Sequence, residues 1–284
     1  MTPPAVSAAQ KPAPAPVGAP RPSYKVTGRR VLRSEWSKLW TLRSTWITLG
    51  LGLLFLVAFG LIASARYKSA IDSGEHMDAD FARSTAVSLS LFGTNFAQLA
   101  LGVLGVLVTA GEYSTGMIRS TLAAVPRRLP VLWAKAAVFG VVALAVSTIG
   151  VFVTFLVGRG IVSGTPAAMA LSHQGAVRAL CGGALYLGLV AVIGTALGAL
   201  LRSVAGGISV LVAALMLIPG LVSLLPDSWA NHISPYLPSN AGEAMFALHR
   251  DAHTLSPTAG LAVFLGWTGV ALAGAAWRLV RADA

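Results

Sequence analysis

The sequence has few charged residues and only one cysteine. Of its 284 residues, 11% are charged and 55% are hydrophobic. Soluble domains carry about 25% charged residues, so this composition excludes an ordinary soluble fold. The single cysteine, Cys181, excludes a disulfide bond within the chain. The scarcity of charge therefore indicates a protein that lies mainly within a lipid bilayer.

Several catalytic and nucleotide-binding motifs are also missing. The sequence contains no Gly-Lys dipeptide, so it cannot form the phosphate-binding loop G-x-x-x-x-G-K-[ST]. It has no G-x-S-x-G motif and no pair of carboxylates within its apolar segments, which hydrolases and proton relays use. We therefore expect the chain not to be an enzyme and to bind no cofactor itself.

What the sequence does contain is long apolar segments. A bilayer core of about 30 Å requires about 20 helical residues. Lipid offers no hydrogen-bond partner to the backbone, so each crossing segment must form a helix. The sequence therefore predicts an all-α integral membrane protein with six transmembrane helices, at residues 45–65, 86–111, 132–158, 179–201, 204–225 and 259–277.

Two different segments precede the first predicted span. Residues 1–24 contain seven prolines and few large apolar side chains, which predicts a disordered Pro/Ala-rich tail before a membrane domain at 25–284. Residues 29–43 instead show helical periodicity and predict an amphipathic helix that lies on the membrane surface. Its expected apolar face consists of Leu32, Trp36, Leu39 and Trp40.

The positive charge is distributed unevenly along the chain. The net charge is +11, and 15 of the 21 Lys and Arg residues fall in the tail and in alternate connections between spans. Basic residues accumulate on the cytoplasmic side of membrane proteins, so we expect both termini to be cytoplasmic. We therefore interpret the positive charge as an indication of membrane topology and expect no nucleic-acid partner.

The connection between the second and third spans, 111–128, reads "GEYSTGMIRSTLAAVPRR". Ser114 or Thr115 is a suitable cap for a short helix that continues to about Val125. Ile118 and Leu122 would lie on its apolar side. One interpretation is an interfacial loop whose basic residues contact anionic lipid headgroups.

Polar residues also occur within the second span and in the last long connection. Asn95 and Gln98 must face other helices or a water-filled path, because an unpartnered amide in lipid is costly. Interhelical hydrogen bonding is favoured over substrate contact. The connection 226–258 predicts short outer helices and contains His232, His249 and His253. Zinc proteases place a glutamate after the first histidine of such a pair, and this sequence has arginine there.

Three segments resemble one family of membrane proteins. Glu112, Tyr113, Gly116 and the following "IRSTLAAVPRR" resemble the first cytoplasmic loop of bacterial type-2 ATP-binding cassette (ABC) exporter permeases. The segment "RRVLRSEWSKLWTLRSTW" at 29–46 resembles the amphipathic helix before the first span of these permeases. The segment "SPYLPSNAGEAMF" at 234–246 resembles their outer loop before the sixth span. Members often carry a second acidic residue soon after the first in the cytoplasmic loop, where this chain has Tyr113 and Ser114.

The resemblance implies a function and a set of partners. It implies the permease subunit of an ATP-driven exporter in the bacterial plasma membrane, with a cytoplasmic coupling helix between spans two and three. The partners would be an ATPase subunit, which carries ATP and Mg²⁺, a second permease subunit and membrane lipid. The residues implied to contact the ATPase are Glu112, Tyr113, Ser114, Thr115, Gly116 and Arg119. Asn95 and Gln98 would be candidates for the translocation path.

Two other functions are compatible with the same sequence. A six-span anchor or immunity protein would bind a partner and transport nothing. A membrane-embedded, metal-dependent hydrolase would use the outer-loop histidines. Neither substrate nor homodimer versus heterodimer assembly can be predicted from these residues.

Overall fold

The computed structural model describes residues 27–125, 128–249 and 253–281, and in these ranges it contains helices and no strands. The predicted tail at 1–24 lies outside the described residues. The principal helices, in chain order, are α1 Gly28–Thr41, α2 Arg43–Ser73, α3 Ala79–Ala82, α4 Ala86–Leu91, α5 Thr94–Ser114, α6 Met117–Ala124, α7 Leu129–Ile161, α8 Ala176–Leu201, α9 Val204–Val212, α10 Ile218–Val222, α11 Asp227–Ile233, α12 Pro238–Ala244 and α13 Pro257–Arg281.

Six helical segments in the described part of the chain are long and apolar enough to cross a membrane, which confirms the predicted number. The fold is therefore that of a multi-pass membrane protein. The six segments are Arg43–Ser73, Ala86–Ser114, Leu129–Ile161, Ala176–Leu201, Val204–Val222 and Pro257–Arg281. Five of them extend beyond the predicted spans, and the fifth segment ends earlier than predicted. The extra turns carry polar and charged residues that an apolar window does not detect.

Helix α8 lies at the centre of the bundle. In its most apolar stretch 72% of the residues are buried, and it packs against α5, α7 and α13. Close approach to α5 depends on small residues. A Cβ atom added to Gly198 would lie only 2.7 Å from the backbone oxygen of Val106. The sequence "GTALG", which contains Gly198, therefore serves helix packing, as small residues do in membrane helices.

Helices α9 and α10 lie at the periphery of the bundle, and only 17% of the residues in this span are buried. The two helices are joined by a π-helical turn, Ala213–Leu217. Pro219 follows and has no N–H group to donate to the preceding turn, so the regular hydrogen-bond ladder is interrupted here. This span presents large apolar side chains outward, including Val210, Met216 and Leu221.

Helix α1 has two distinct faces, and only part of the predicted apolar face is correct. The stripe that packs inward consists of Val31, Glu35 and Leu39. The neighbouring stripe, which is exposed, consists of Leu32, Trp36 and Trp40. Leu39 was expected beside the tryptophans, but α1 packs against α7 and turns Leu39 inward. The rings of Trp36 and Trp40 stack with centroids 5.5 Å apart.

Two short helical regions mark opposite ends of the bundle. Helices α1 and α6 lie at one end, called the α1 end below. Helices α11 and α12 lie at the other, called the far end, and they correspond to the short helices predicted before the last span. The predicted helix between spans two and three is present as α6, but it begins later than expected. Gly116, with φ of 73°, forms the turn before it, and a left-handed conformation favours glycine.

Candidate functional site

Four charged side chains meet inside the α1 end of the protein. They come from α1, from the last turns of α5 and from the second turn of α7, and they are Glu35, Lys38, Glu112 and Lys135. Three of the side chains are 5% exposed or less, and that of Lys38 is 24% exposed. We call these residues the charge cluster. Its two carboxylates and two ammonium groups cancel one another.

The charge cluster forms a closed ring of ion pairs. Lys135 Nζ donates to Glu35 Oε2 at 2.6 Å and to Glu112 Oε1 at 2.9 Å. Lys38 Nζ donates to Glu35 Oε1 at 2.7 Å and to Glu112 Oε1 at 3.0 Å. Each lysine therefore contacts both glutamates. A displacement of one helix must lengthen at least two of these contacts.

The electrostatics of Lys38 show how the ring compensates for burial. Desolvation alone would lower the pKa of Lys38, but hydrogen bonds to Glu35 and the charges of Glu35 and Glu112 outweigh it and raise the pKa. Lys38 is therefore charged at neutral pH. Buried ion pairs add little net stability, yet removal of one partner leaves an uncompensated charge, which is strongly destabilising. The charge cluster thus fixes the relative positions of its helices.

Local sequence explains how α6 is attached to this ring. The left-handed turn at Gly116 ends the α5 direction and begins α6 directly after α5. Lys38 Nζ also donates to Thr121 Oγ1 at 3.4 Å, and Ile118 on the same side of α6 is buried. By contrast, Ser120 and Ala123 on α6 are exposed. One face of α6 is therefore tied to the bundle and the other is accessible.

A cavity lies against the charge cluster. It has a volume of about 280 Å³, and Glu35, Lys38, Glu112 and Lys135 all line it together with apolar residues of α1, α5 and α7. Within the described residues, the second oxygen of Glu112, Oε2, is buried without a hydrogen-bond donor. The side chain expected on the surface for contact with an ATPase is therefore buried, with one oxygen bound by two lysines of the same chain. A contact between Glu112 and a partner remains a prediction.

The other predicted coupling residues surround this site. The guanidinium of Arg202, in the connection after α8, lies 5.1 Å from the ring centre of Tyr113. Ser114 and Thr115 do not cap α6; their hydroxyls donate back to the carbonyl of Gly111 in α5. Arg119 belongs to α6, and the position of its side chain lies outside what the structure describes. The residues predicted to contact an ATPase therefore lie in the last turn of α5, in the turn at Thr115 and Gly116, and in the first turn of α6.

The two candidate residues for a translocation path have different surroundings. Gln98 is buried, and its Oε1 accepts a hydrogen bond from the hydroxyl of Tyr186 on α8. This is the interhelical hydrogen bond that the sequence favoured. Asn95 is exposed, donates to Phe92 O at 3.2 Å, and lines a cavity at the far end. Gln98 therefore joins α5 to α8, whereas Asn95 is accessible; a role in a translocation path stays a prediction for both residues.

The outer-loop histidines are spread over the far end. His232 contacts the carbonyl of Ser228 within α11 at 2.6 Å, whereas His249 and His253 line a cavity beside α12. Residues 250–252 lie outside the described ranges. In the ranges that are described, no three His, Cys, Asp or Glu side chains are arranged to hold a metal ion.

Sequence reasoning missed most of the charge cluster. Glu35, Lys38 and Lys135 were counted only as surface charges that set the topology. The available signal was a lysine in the second turn of a span and a glutamate at the end of another, because charges at such depths need partners.

No model of a known protein family matches this chain, and no curated protein matches it either.

Proposed function

We propose that this chain is the permease subunit of a type-2 ABC exporter, with α6 as its coupling helix. The observation that carries the proposal is the charge cluster, which connects α6 to three other helices at one end of the bundle. A helix that receives force from a partner must be exposed on one face and firmly attached on the other. Helix α6 meets both conditions through exposed Ser120 and Ala123 and through the contact of Thr121 with Lys38.

The charge cluster offers a route from α6 into two spans. A push on α6 displaces Thr121, which contacts Lys38 of the ring. It also displaces the turn at Gly116, which directly follows α5, the helix that carries Glu112. Lys38 and Glu112 would move with them, and Glu112 shares Lys135 with α7. Because the ring is closed, movement at α6 becomes a relative movement of α5 and α7. A contact that differs between two conformations can bias a permease between two states.

The proposal includes an orientation and a set of partners. The α1 end would face the cytoplasm of a bacterium, with both termini on that side, and the exposed tryptophans of α1 would lie in the lipid headgroup region. ATP and Mg²⁺ would bind a separate ATPase subunit at α6. A second permease subunit and lipid would cover the exposed apolar faces of α2, α9, α10 and α13.

The test is site-specific cross-linking to the ATPase subunit. Cys181 is first replaced by alanine, and Ser120→Cys then places a single thiol on the exposed face of α6. The variant is co-expressed with a candidate ATPase subunit, a soluble protein that carries the phosphate-binding loop and whose gene adjoins that of this chain, and is treated with a short thiol cross-linker in membranes. We expect a covalent permease–ATPase product, whose yield changes when ATP is added because the coupling contact moves.

The matched control is Ser228→Cys in the same cysteine-free background. Ser228 is exposed on α11 at the far end, so its thiol should give no product with the ATPase. Equal products from both positions would show nonspecific contact, and no product from Ser120→Cys would refute α6 as the docking site. If the ATPase also failed to co-purify, the chain would instead be a six-span anchor or immunity protein.

A further inference from the structure

A single carboxylate at the far end lies between two cavities. Glu243 of α12 lines a cavity of about 280 Å³ on one side and a cavity of about 440 Å³ on the other. Ala247, one turn later, also lines both. Glu243 is therefore accessible to a ligand in either cavity.

The two cavities differ in chemistry. The smaller one is mostly apolar, with Leu91, Phe92 and Phe246 among its walls and Asn95 at its edge. The larger one is more polar, because its lining includes the amides of Asn231 and Asn240 and the rings of His249 and His253. A ligand beside Glu243 would therefore meet aromatic and aliphatic walls on one side and hydrogen-bonding groups on the other.

The segment that carries Glu243 is held rigidly. Arg178 of α8 donates to Met245 O at 3.1 Å and to Ala247 O at 2.7 Å. Asn240 Nδ2 donates to Ser234 O at 2.9 Å. A Cβ atom added to Gly182 would lie 2.5 Å from Met245 O, so α8 and the end of α12 are in close contact. The carboxylate is therefore displayed from a preformed frame, which reduces the ordering cost of binding.

Glu243 has no compensating charge in the described parts of the chain. No ion pair or hydrogen bond joins its carboxylate to any residue there, in contrast to both glutamates of the charge cluster. Although the residue is exposed, the surrounding outer segments desolvate its carboxyl and raise the pKa of Glu243 above its ordinary value. A bound cation would relieve that unfavourable desolvation.

We infer that Glu243 is the anchor of a binding site for lipophilic organic cations. The positive centre of the ligand would lie beside the carboxylate, and its apolar groups would occupy the smaller cavity between Phe92 and Phe246. Such recognition combines burial of apolar surface with one charge contact, the usual composition of small-molecule sites. The inference concerns equilibrium binding, so it does not depend on transport or on an ATPase.

The test is direct binding to the full chain in nanodiscs. Radiolabelled tetraphenylphosphonium is the probe, because its charge is permanent and its four rings match an aromatic wall. Tetraphenylborate has the same shape and opposite charge, and empty nanodiscs give the contribution of lipid. We expect saturable binding of tetraphenylphosphonium, none of tetraphenylborate, and an affinity about tenfold or more lower in Glu243→Gln, since the charge contact is lost.

The control variant is Glu75→Gln, an identical change at an exposed far-end carboxylate outside both cavities. We expect it to bind like the unmodified chain. Size-exclusion profiles and melting temperatures should be the same for both variants, because Glu243 has no described partner to lose. No saturable binding by the unmodified chain, equal binding by Glu243→Gln, or saturable binding of tetraphenylborate would each overturn the inference. Failure of the ATPase cross-link would leave it unaffected.

Discussion

The two ends of the molecule differ in how their charged side chains are compensated. At the α1 end, two glutamates and two lysines form a ring in which each lysine contacts both carboxylates. At the far end, Glu243 lies between two cavities without a described counter-ion. The two regions lie at opposite ends of the same bundle and share some of its helices.

The difference separates a structural role of charge from a binding role. Charges that satisfy one another hold helices in register, and nothing remains for a small ligand except the unoccupied Glu112 Oε2. A carboxylate without a partner retains its capacity to bind a cation from outside. We therefore expect substitutions at the α1 end to act mainly on stability and coupling, and those at the far end mainly on binding.

The largest effect is expected for Lys135→Met. The lysine side chain is 4% exposed, and after its loss Lys38 is the one cation among the described residues that contacts Glu35 and Glu112. Removal of one partner from a buried ion network costs about 3–5 kcal/mol. Thermal unfolding in nanodiscs, followed by tryptophan fluorescence, should show a large decrease in melting temperature.

Lys68→Met is the matched control for Lys135→Met. Lys68 pairs with Asp72 at 3.4 Å, and both side chains are largely exposed to the surroundings. Exposed ion pairs contribute about 0–1 kcal/mol, so the melting temperature should change little. Similar shifts for the two lysines would contradict the view that the charge cluster fixes the α1 end.

An intermediate effect is expected for Glu112→Ala. The change removes one contact from each lysine, but both stay bound to Glu35. Because the excess positive charge can be solvated at Lys38, whose side chain is 24% exposed, we expect a loss of about 1–3 kcal/mol. The protein should still insert into the membrane, whereas ATPase-linked export should fall because α5 is released from α1 and α7. Insertion is measured by membrane fractionation and export in liposomes that contain the ATPase.

A double-mutant cycle distinguishes this role of Glu112 from simple packing. When Lys135→Met is combined with Glu112→Ala, the second change should cost less than it does alone, with an interaction energy of about 0.5–3 kcal/mol. Additive losses would show that the two residues act independently. Unchanged export in Glu112→Ala would count against the proposed coupling route.

The smallest effect on stability is expected for Arg178→Met at the far end. The guanidinium holds two carbonyls of the segment after α12, but this contact is partly exposed, so we expect a loss of about 1 kcal/mol. Hydrogen exchange measured by mass spectrometry should increase around α12 and leave α6 unchanged. Arg159→Met, at another exposed far-end arginine, should leave α12 protection unchanged. Equal exchange in both variants would show that Arg178 does not fix the Glu243 segment.

The apolar content of the chain was sufficient to predict six membrane-length helices. Spans such as α8 and α9 follow directly from length and hydropathy, because lipid leaves the backbone no alternative to a helix. The presence of α6 was also predictable from its short apolar repeat. Its start was not, because the turn depends on the left-handed conformation of Gly116 and not on a polar cap.

The charge cluster could not be predicted from periodicity alone. Glu35 lies 100 residues from Lys135 and Lys38 lies 74 residues from Glu112, so their contacts depend on how distant helices pack. The amphipathic pattern of α1 placed Leu39 beside the tryptophans and did not indicate that Glu35 is buried. The position of Glu243 was equally difficult to predict from the sequence, because it depends on two cavities formed by separate segments.

The connection between α8 and α9 also has a consequence for the biogenesis of the protein. It consists of Arg202, in a left-handed conformation with φ of 53°, and Ser203. Two helices joined so closely must enter the bilayer together during synthesis. Their mean hydropathies are equal at 2.2, yet 72% of one span and 17% of the other is buried. We therefore expect hydropathy not to distinguish the two helices during insertion, so that packing in the assembled bundle determines which of them becomes its centre.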